Sequence, residues 1–212
     1  CNTWEYDPER HAETEAVVRP MFEEQVRWAK EVGVDFVIAE TFNHLGEALI
    51  ALDVIKKAGL PAMVTFAAKN EESYDGKSWA ESCKILEANG ADVVGLNCSR
   101  GPATMLPLLE SIRSSVDCYV AAQPVPYKTT KEAPYFQVLK DEDGNRSFPV
   151  ALDPHVLTRF QMANFAKDAA DIGVNFIGIC CGGAPHHVRA MAEALGRTVP
   201  ASQYSPDLSM HP

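Results

Sequence analysis

One pattern recurs along the chain: an amphipathic segment ends at a glycine, and a short apolar run rich in β-branched residues follows. Each of these glycines stands where a helix would end in a left-handed residue, a conformation that glycine adopts without steric cost. A fifth apolar run, 118–123, lacks the preceding glycine. The pattern predicts helices alternating with strands, with helix ends at Gly33, Gly59, Gly90 and Gly173 and strands over 34–39, 61–66, 91–96, 118–123 and 174–179.

Apolar residues recur at helical spacing in the segments between these runs. The first such segment contains Pro20, so its helix is expected either to kink there or to begin later. Pro185 suits the first turn of the last helix. The predicted helices span 14–30, 45–57, 78–87, 105–114, 159–170 and 185–195.

Strands that alternate with helices are typical of βαβ units and a parallel sheet. The strands are apolar on both faces, as expected of parallel strands covered by helices. A (β/α)8 (TIM) barrel needs eight strands and typically ~250 residues, so a chain of 212 residues with five predicted strands would supply only part of one. A doubly wound open sheet is the alternative, although no Gly-x-Gly-x-x-Gly turn follows any strand. We expect an α/β fold.

Two segments lack regular patterning. Residues 124–154 carry five prolines and a charged turn, and form a long excursion after the fourth strand. Loops of that length in compact domains are usually functional or disordered. The polar tail after Pro200 is expected to be a linker or an arm, so that the α/β domain spans 1–200 and the linker 201–212.

Composition excludes several classes of protein. The formal net charge of −10 argues against nucleic acid or an anionic membrane as a partner, and no apolar run approaches the roughly 18 residues of a membrane span. The N-terminal residues lack the basic and apolar segments of a signal peptide. Six cysteines are too few for a disulfide scaffold. We expect a reducing cytoplasm, where such cysteines are core residues, metal ligands or reactive thiols.

Three of the six cysteines fall at the carboxyl ends of predicted strands, where parallel α/β proteins bind ligands. Adjacent side chains of a regular strand point to opposite faces, but Gly182 and Gly183 allow the backbone at Cys180 and Cys181 to leave that geometry. If the strand ends converge, these two thiolates and that of Cys98 can meet on one metal ion. Three sulfur ligands with an open fourth position are typical of a catalytic zinc site. The alternative is packing cysteines or a redox pair.

Polar residues at other strand ends are candidates for substrate binding: Glu40, Thr41, Asn97 and Gln123. A carboxylate such as that of Glu40 is not expected to be buried without a partner, so it either faces solvent or binds substrate. Asn97 either satisfies loop backbone groups or contributes to the site. Gln123 either supplies a polar group to the site or forms the turn before Pro124.

The remaining candidates have simpler interpretations. Cys83 falls on a helical stripe that indicates the core, and Cys118 begins its strand at the end opposite to the expected site. His186 and His187 lie in the first turn of the last helix. We expect both histidines at the surface rather than on a metal.

The segments Gly95-Leu96-Asn97-Cys98 and Gly178-Ile179-Cys180-Cys181-Gly182-Gly183 resemble the zinc-binding signature of homocysteine S-methyltransferases. The resemblance covers nearly the whole chain and is greatest to the betaine-dependent members of that family. It extends to residues 38–42, 122–124 and 185–189, and in the tail to 200–202 and 210–211.

The resemblance implies a (β/α)8 barrel of which this chain carries strands four to eight, while the family's first three strands have no counterpart in it. It implies Zn²⁺ on Cys98, Cys180 and Cys181, and Glu40 on the amino group of homocysteine. The implied reaction moves a methyl group from an onium donor to the homocysteine thiolate, giving methionine, in a cytoplasmic homo-oligomer. The betaine enzymes usually have Tyr where this chain has Thr41, and betaine, dimethylsulfoniopropionate and S-methylmethionine demand similar cages.

Two other functions stay open. Gly182, Gly183 and the N-terminus of the last helix form a possible phosphate site in a barrel enzyme whose cysteines are incidental. A non-catalytic partial barrel that binds zinc or a partner is the second alternative. A barrel without its first three strands exposes two sheet edges, so we expect the chain to need a missing N-terminal barrel segment for stability.

Overall fold

The computed structural model describes residues 1–205 of the chain. Most of the predicted 201–212 linker lies outside the described residues, and so do Met210 and His211, which form part of the family resemblance. The described part contains five strands, β1 (Val37–Phe42), β2 (Ala62–Phe66), β3 (Val93–Asn97), β4 (Tyr119–Gln123) and β5 (Phe176–Ile177). It also contains six α-helices, α1 (His11–Glu31), α2 (Leu45–Lys57), α3 (Trp79–Ala88), α4 (Pro102–Arg113), α5 (Arg159–Asp171) and α6 (Pro185–Ala194).

The five strands form one sheet in chain order, β1-β2-β3-β4-β5, and every neighbouring pair is parallel. A doubly wound sheet reverses its strand order at a switch point, whereas consecutive order is that of a barrel wall. Right-handed crossovers put the helices of such a sheet on one face, and each helix packs against the next in chain order. The predicted α/β fold is confirmed, in the form of part of a barrel wall.

Local patterns placed most elements correctly. The four predicted helix-ending glycines have φ values between 74° and 92°. Helix α1 continues through Pro20, neither starting after it nor stopping there. Pro20 deprives the Ala16 carbonyl of its helical partner, and both residues lie on the exposed face of α1, where that carbonyl is not buried away from solvent. The run predicted as a strand over 174–179 forms a strand only at Phe176 and Ile177, although Gly178 N still donates to the Ala122 carbonyl and Cys180 N to the Pro124 carbonyl.

The sheet and the helices bury one large hydrophobic cluster, which includes Cys83 with no exposed surface, as predicted. A second, smaller cluster lies at the carboxyl end of the sheet. It is built by the excursion after β4 and comprises Cys98, Val125, Tyr127, Phe136 and Leu139. The predicted long excursion is therefore a packed cover beside Cys98.

Each outer strand has one unpaired edge within the described residues, and an apolar groove lies beside each edge. The groove at β1 has a volume of about 230 Å³ and is lined by residues that include Phe22, Val26 and Ile38. The groove at β5 has a volume of about 250 Å³, and Ile177 and Met191 contribute to its lining. The sheet therefore ends on two surfaces that further barrel strands would cover.

None of the helices in residues 1–205 combines the length and the apolar composition that crossing a membrane requires.

Gly95 in β3 is expected to tolerate no side chain. A Cβ there would lie 2.0 Å from the Ala121 carbonyl oxygen in β4, so Gly95→Ala must separate the strands that carry the site. We expect the free energy of unfolding in urea to fall by about 3 kcal/mol. Gly144→Ala is the control, because open space surrounds that exposed left-handed turn, and it is expected to lose about 1 kcal/mol. Equal losses would contradict the packing argument.

Candidate metal centre

The sulfur atoms of Cys98, Cys180 and Cys181 meet at the carboxyl end of the sheet. Their ligand atoms all lie within 4.8 Å of one another. Cys98 Sγ is 3.5 Å from Cys181 Sγ, and Cys180 Sγ is 3.9 Å from Cys181 Sγ. A tetrahedral zinc ion with bonds of 2.3 Å would separate its sulfur ligands by about 3.8 Å. The sulfur spacing therefore fits one tetrahedral ion.

A tight left-handed turn after β3 presents Cys98. Cys98 and Ser99 have φ values of 58° and 59°, a conformation that costs a non-glycine residue about 1–2 kcal/mol. Backbone bonds support the turn, since Cys98 N donates to the Gln123 carbonyl at 2.8 Å and Phe136 N donates to the Ser99 carbonyl at 2.9 Å. The end of β4 and the excursion thus hold the first cysteine in place.

The vicinal pair leaves strand geometry as its glycines predicted. Cys180 N donates to the Pro124 carbonyl at 2.9 Å, and Gly183 N donates back to the Cys180 carbonyl at 2.9 Å. Gly182 is left-handed, with φ of 83°, and a Cβ there would lie 2.3 Å from the Tyr127 hydroxyl. This turn brings both sulfurs to the same side of the chain.

Replacement of Gly182 by alanine tests that turn. Gly182→Ala adds the collision with Tyr127 to the left-handed strain, whereas Gly196→Ala adds only the strain because its φ is 75° and its surroundings are open. We expect Gly182→Ala to lower the free energy of unfolding by about 1–3 kcal/mol more than the control. Combination with Tyr127→Phe, which removes the colliding hydroxyl, should recover part of that difference in the same denaturation experiment. Identical losses for the two glycine variants would contradict the described contact.

The three thiols share their protons unequally. A hydrogen bond from the Cys98 thiol lowers the pKa of Cys180 to about 6. The same bond and burial raise the pKa of Cys98, and burial raises the pKa of Cys181. Thiols this close repel one another when all are ionised. The cluster therefore needs a bound cation to exist as three thiolates.

Asn97 connects the strand ends around the cysteines. Its Oδ1 accepts from Thr41 N and from the Thr65 hydroxyl, both at 2.8 Å, and its Nδ2 donates to Thr41 Oγ1 at 2.7 Å. The same Nδ2 lies 3.9 Å from Cys180 Sγ. Asn97 has no exposed surface, and Thr41 is left-handed with φ of 68°. The roles predicted for Asn97 and Thr41 in substrate binding stay predictions. The hydrogen bonds of the Asn97 amide hold the ends of β1, β2 and β3 together beside the cysteines.

Glu40 and Gln123 are the other polar residues at this edge. Glu40 is half-buried within β1, two residues before the strand ends. Gln123 pairs in register with Asn97, and its Oε1 is buried without a hydrogen-bond partner in the described structure. Both side chains keep an acceptor available at the site.

His187 corrects one expectation. It is 1% exposed and not at the surface as predicted, whereas His186 is exposed as predicted. His187 Nδ1 accepts from Ala184 N at 3.2 Å, so Nε2 carries the proton and donates to the Leu157 carbonyl at 3.0 Å. Burial lowers the pKa of His187, which keeps the ring neutral. The histidine therefore satisfies the start of α6 and attaches it to the excursion.

Comparison with known proteins gives consistent matches. The homocysteine S-methyltransferase family model matches residues 2–195. Betaine–homocysteine S-methyltransferase 1 of Xenopus laevis is 34% identical over 187 residues, covering 86% of this chain and 45% of that protein. S-methylmethionine–homocysteine S-methyltransferase of Mus musculus is 30% identical over 224 residues, covering 100% of this chain and 60% of that protein.

The fold is likewise similar to solved structures of the homocysteine methyltransferase MmuM from Escherichia coli. The apo form superposes with a TM-score of 0.63 at 14% identity, covering 85% of this chain and 57% of that one. The metallated form gives 0.60 at 14% identity, covering 82% and 51%. The chain thus spans about half the length of the proteins it matches. On the family match over residues 2–195, the chain belongs to the homocysteine S-methyltransferase family.

Proposed function

We propose that this chain binds zinc through Cys98, Cys180 and Cys181 and, within a complete barrel, transfers a methyl group from an onium donor to the sulfur of homocysteine, giving methionine. The observation that carries the proposal is the convergence of three sulfurs from two distant strand ends at spacings that suit one tetrahedral ion. Three protein ligands leave the fourth position for a substrate.

A free thiol has a pKa near ~8.5 and is mostly protonated at neutral pH. A zinc ion held by these thiolates would take the homocysteine sulfur as its fourth ligand and keep it deprotonated. Three thiolates and Zn²⁺ would sum to a charge of about −1, and the substrate thiolate would make it about −2, which attracts a cationic donor. The excursion over Cys98 excludes water from one side of the site, which strengthens that attraction. The sulfur–methyl bond would form in line as the methyl–onium bond breaks, and the donor would leave with that electron pair as a neutral amine or sulfide. This step depends on positioning and needs no general base.

Glu40 is proposed to bind the ammonium group of homocysteine. It is half-buried in β1, directly before Thr41, which is hydrogen-bonded to Asn97 beside the cysteine cluster. Gln123 is proposed to bind substrate or donor through its unpartnered Oε1. Asn97 and Thr41 are proposed to shape the substrate side of the site through their mutual bonds.

The proposed donor is a methyl-bearing onium compound. The named relatives use betaine and S-methylmethionine, a quaternary ammonium and a sulfonium, and both carry the positive charge that an anionic site attracts. Three reduced thiols are necessary for this chemistry, so we propose that the protein works in the cytoplasm, where thiols stay reduced. The expected homo-oligomer stays a prediction.

The strands that close the barrel are proposed to come from a barrel segment outside residues 1–212. Within residues 1–205, both outer strands have unpaired edges beside apolar grooves. On α1, Val17, Met21 and Trp28 are 52%, 41% and 50% exposed, on a face that a neighbouring barrel helix would cover. The chain matches 45–60% of its relatives' lengths, which agrees with a partner segment of barrel strands.

The phosphate-site alternative is disfavoured by two contacts. The Tyr127 hydroxyl occupies the space over Gly182, and the Ala184 N–H at the start of α6 already donates to His187. A phosphate there would have to displace both groups.

The proposal is tested on the complete barrel, meaning this chain together with the segment that supplies the remaining strands. It is incubated with homocysteine and methyl-labelled donors. We expect labelled methionine from betaine, S-methylmethionine or dimethylsulfoniopropionate, and loss of product in Glu40→Gln without loss of bound zinc. Zinc binding without methyl transfer from any onium donor would favour the non-catalytic alternative.

A further inference from the structure

Arg100 is a buried charged residue two positions after Cys98. Its side chain is almost completely covered, with 4% of the residue exposed. The guanidinium does not face the thiol cluster but the loop that follows β2. Nε donates to the Ala68 carbonyl at 2.6 Å, and one terminal nitrogen donates to the Asn70 carbonyl at 3.1 Å and to Glu71 Oε1 at 2.7 Å.

The backbone of Arg100 is fixed as well. Its N–H donates to the Cys98 carbonyl at 2.7 Å, and its carbonyl accepts from Val125 N at 3.0 Å. Arg100 therefore closes the left-handed turn at Cys98 and Ser99, and attaches that turn to the loop after β2 on one side and to the end of β4 on the other.

Two consecutive left-handed non-glycine residues persist only where the surrounding structure determines them. The planar guanidinium is suited to this task because its fork serves several carbonyls at once, which the point charge of a lysine does not. Since Arg100 and Cys98 are separated by one residue, a shift of the fork displaces the turn that aims Cys98 Sγ at Cys181 Sγ.

We propose that Arg100 is a positioning residue that sets the direction of the Cys98 sulfur, and thereby the affinity and geometry of the metal site. This inference rests on the proposed function. Arg100 contacts neither the ion nor the substrate in this account, and it acts only through the backbone of residues 98–100.

The test compares Arg100→Met and Arg100→Lys with Arg113→Met. Arg113 is a matched control because it also donates to backbone carbonyls, those of Val116 and Cys118, but at the opposite end of the sheet. Zinc affinity is measured by chelator competition, and the thiolate-to-cobalt absorption band of the Co²⁺ form reports how many sulfurs bind. Thermal unfolding of the metal-free proteins monitors general stability.

We expect Arg100→Met to lower zinc affinity about 10- to 100-fold and to weaken the cobalt band by the share of one thiolate. Compared with Arg100→Met, Arg100→Lys should restore thermal stability more than it restores the thiolate-to-cobalt absorption, because lysine keeps the charge but not the planar guanidinium. Arg113→Met should lose stability while keeping zinc affinity within about twofold of wild type. An unchanged affinity and band in Arg100→Met, or an equal loss in Arg113→Met, would overturn the inference alone. A wild-type chain that binds neither metal would overturn the metal site and this inference together.

Discussion

Cys181→Ser is expected to lower the zinc affinity of the chain by more than about 100-fold. Loss of a residue that only hydrogen-bonds to a metal ligand costs about 10- to 100-fold, and loss of the ligand itself should cost more. Cys181 Sγ lies within 3.5 Å of Cys98 Sγ and 3.9 Å of Cys180 Sγ, so its removal leaves a two-sulfur site. A serine hydroxyl is a poor replacement, because it stays protonated at neutral pH and binds zinc weakly. Cys98→Ser should have a similar effect. Competition with a chromogenic chelator measures both.

Cys118→Ser is the matched control for these variants. Cys118 is a half-buried free cysteine at the amino end of the sheet, away from the three-sulfur cluster. We expect its zinc affinity and stoichiometry to equal those of the wild type. Equal zinc binding by Cys181→Ser and Cys118→Ser would show that the cluster does not hold the metal.

Asn97→Asp is expected to destabilise the metal-free protein by about 3–5 kcal/mol at neutral pH, the range for an uncompensated buried charge. The substitution keeps the shape of the side chain but replaces Nδ2, which donates to Thr41 Oγ1 at 2.7 Å, by an oxygen. At neutral pH it also places a carboxylate at a position with no exposed surface, next to the thiol cluster. Urea denaturation against the wild type measures the loss.

The destabilisation by Asn97→Asp should depend on pH in one direction. Burial raises the pKa of the new carboxyl in the folded protein above its unfolded value of about 3.9. The folded state then binds more protons, so the penalty is smallest below that unfolded pKa and grows as pH rises through the folded pKa. At low pH the carboxylic acid can also donate to Thr41 as the amide does. A destabilisation by Asn97→Asp that is the same at acidic and neutral pH would contradict the buried, hydrogen-bonded position described for Asn97.

Asn175→Asp is the control for charge and shape alone. Asn175 Oδ1 accepts from Val120 N at 3.0 Å near the amino end of the sheet, and aspartate retains that acceptor. We expect less than about 1 kcal/mol of destabilisation, a typical surface effect, with little dependence on pH.

The fold could be predicted because its signals are local. Helix α2 spans the predicted residues, and the glycines that end the helices are left-handed as expected. Helix α4 begins three residues earlier than its apolar spacing indicated, because Pro102 is a good first helical residue and Gly101 precedes it. Periodicity alone does not register that start.

The site could be predicted only in part. Cysteines at two strand ends, one pair of them followed by two glycines, are visible in the sequence, and their meeting follows once β3 and β5 are parallel members of one curved sheet with β4 between them. The supporting contacts join residues far apart in the chain: Arg100 to Ala68, Asn97 to Thr65 and His187 to Leu157 are separated by 32, 32 and 30 residues. Such pairs have no periodic signal. In the sequence, only Thr65 within an apolar strand and His187 at the third position of a helix indicated such contacts.

X-ray absorption at the zinc edge tests the central claim most directly. The zinc-loaded protein is predicted to show three sulfur neighbours at about 2.3 Å with one lighter ligand, and four sulfurs after homocysteine is added. A first shell dominated by nitrogen and oxygen, or a sulfur number that does not rise with homocysteine, would contradict the account.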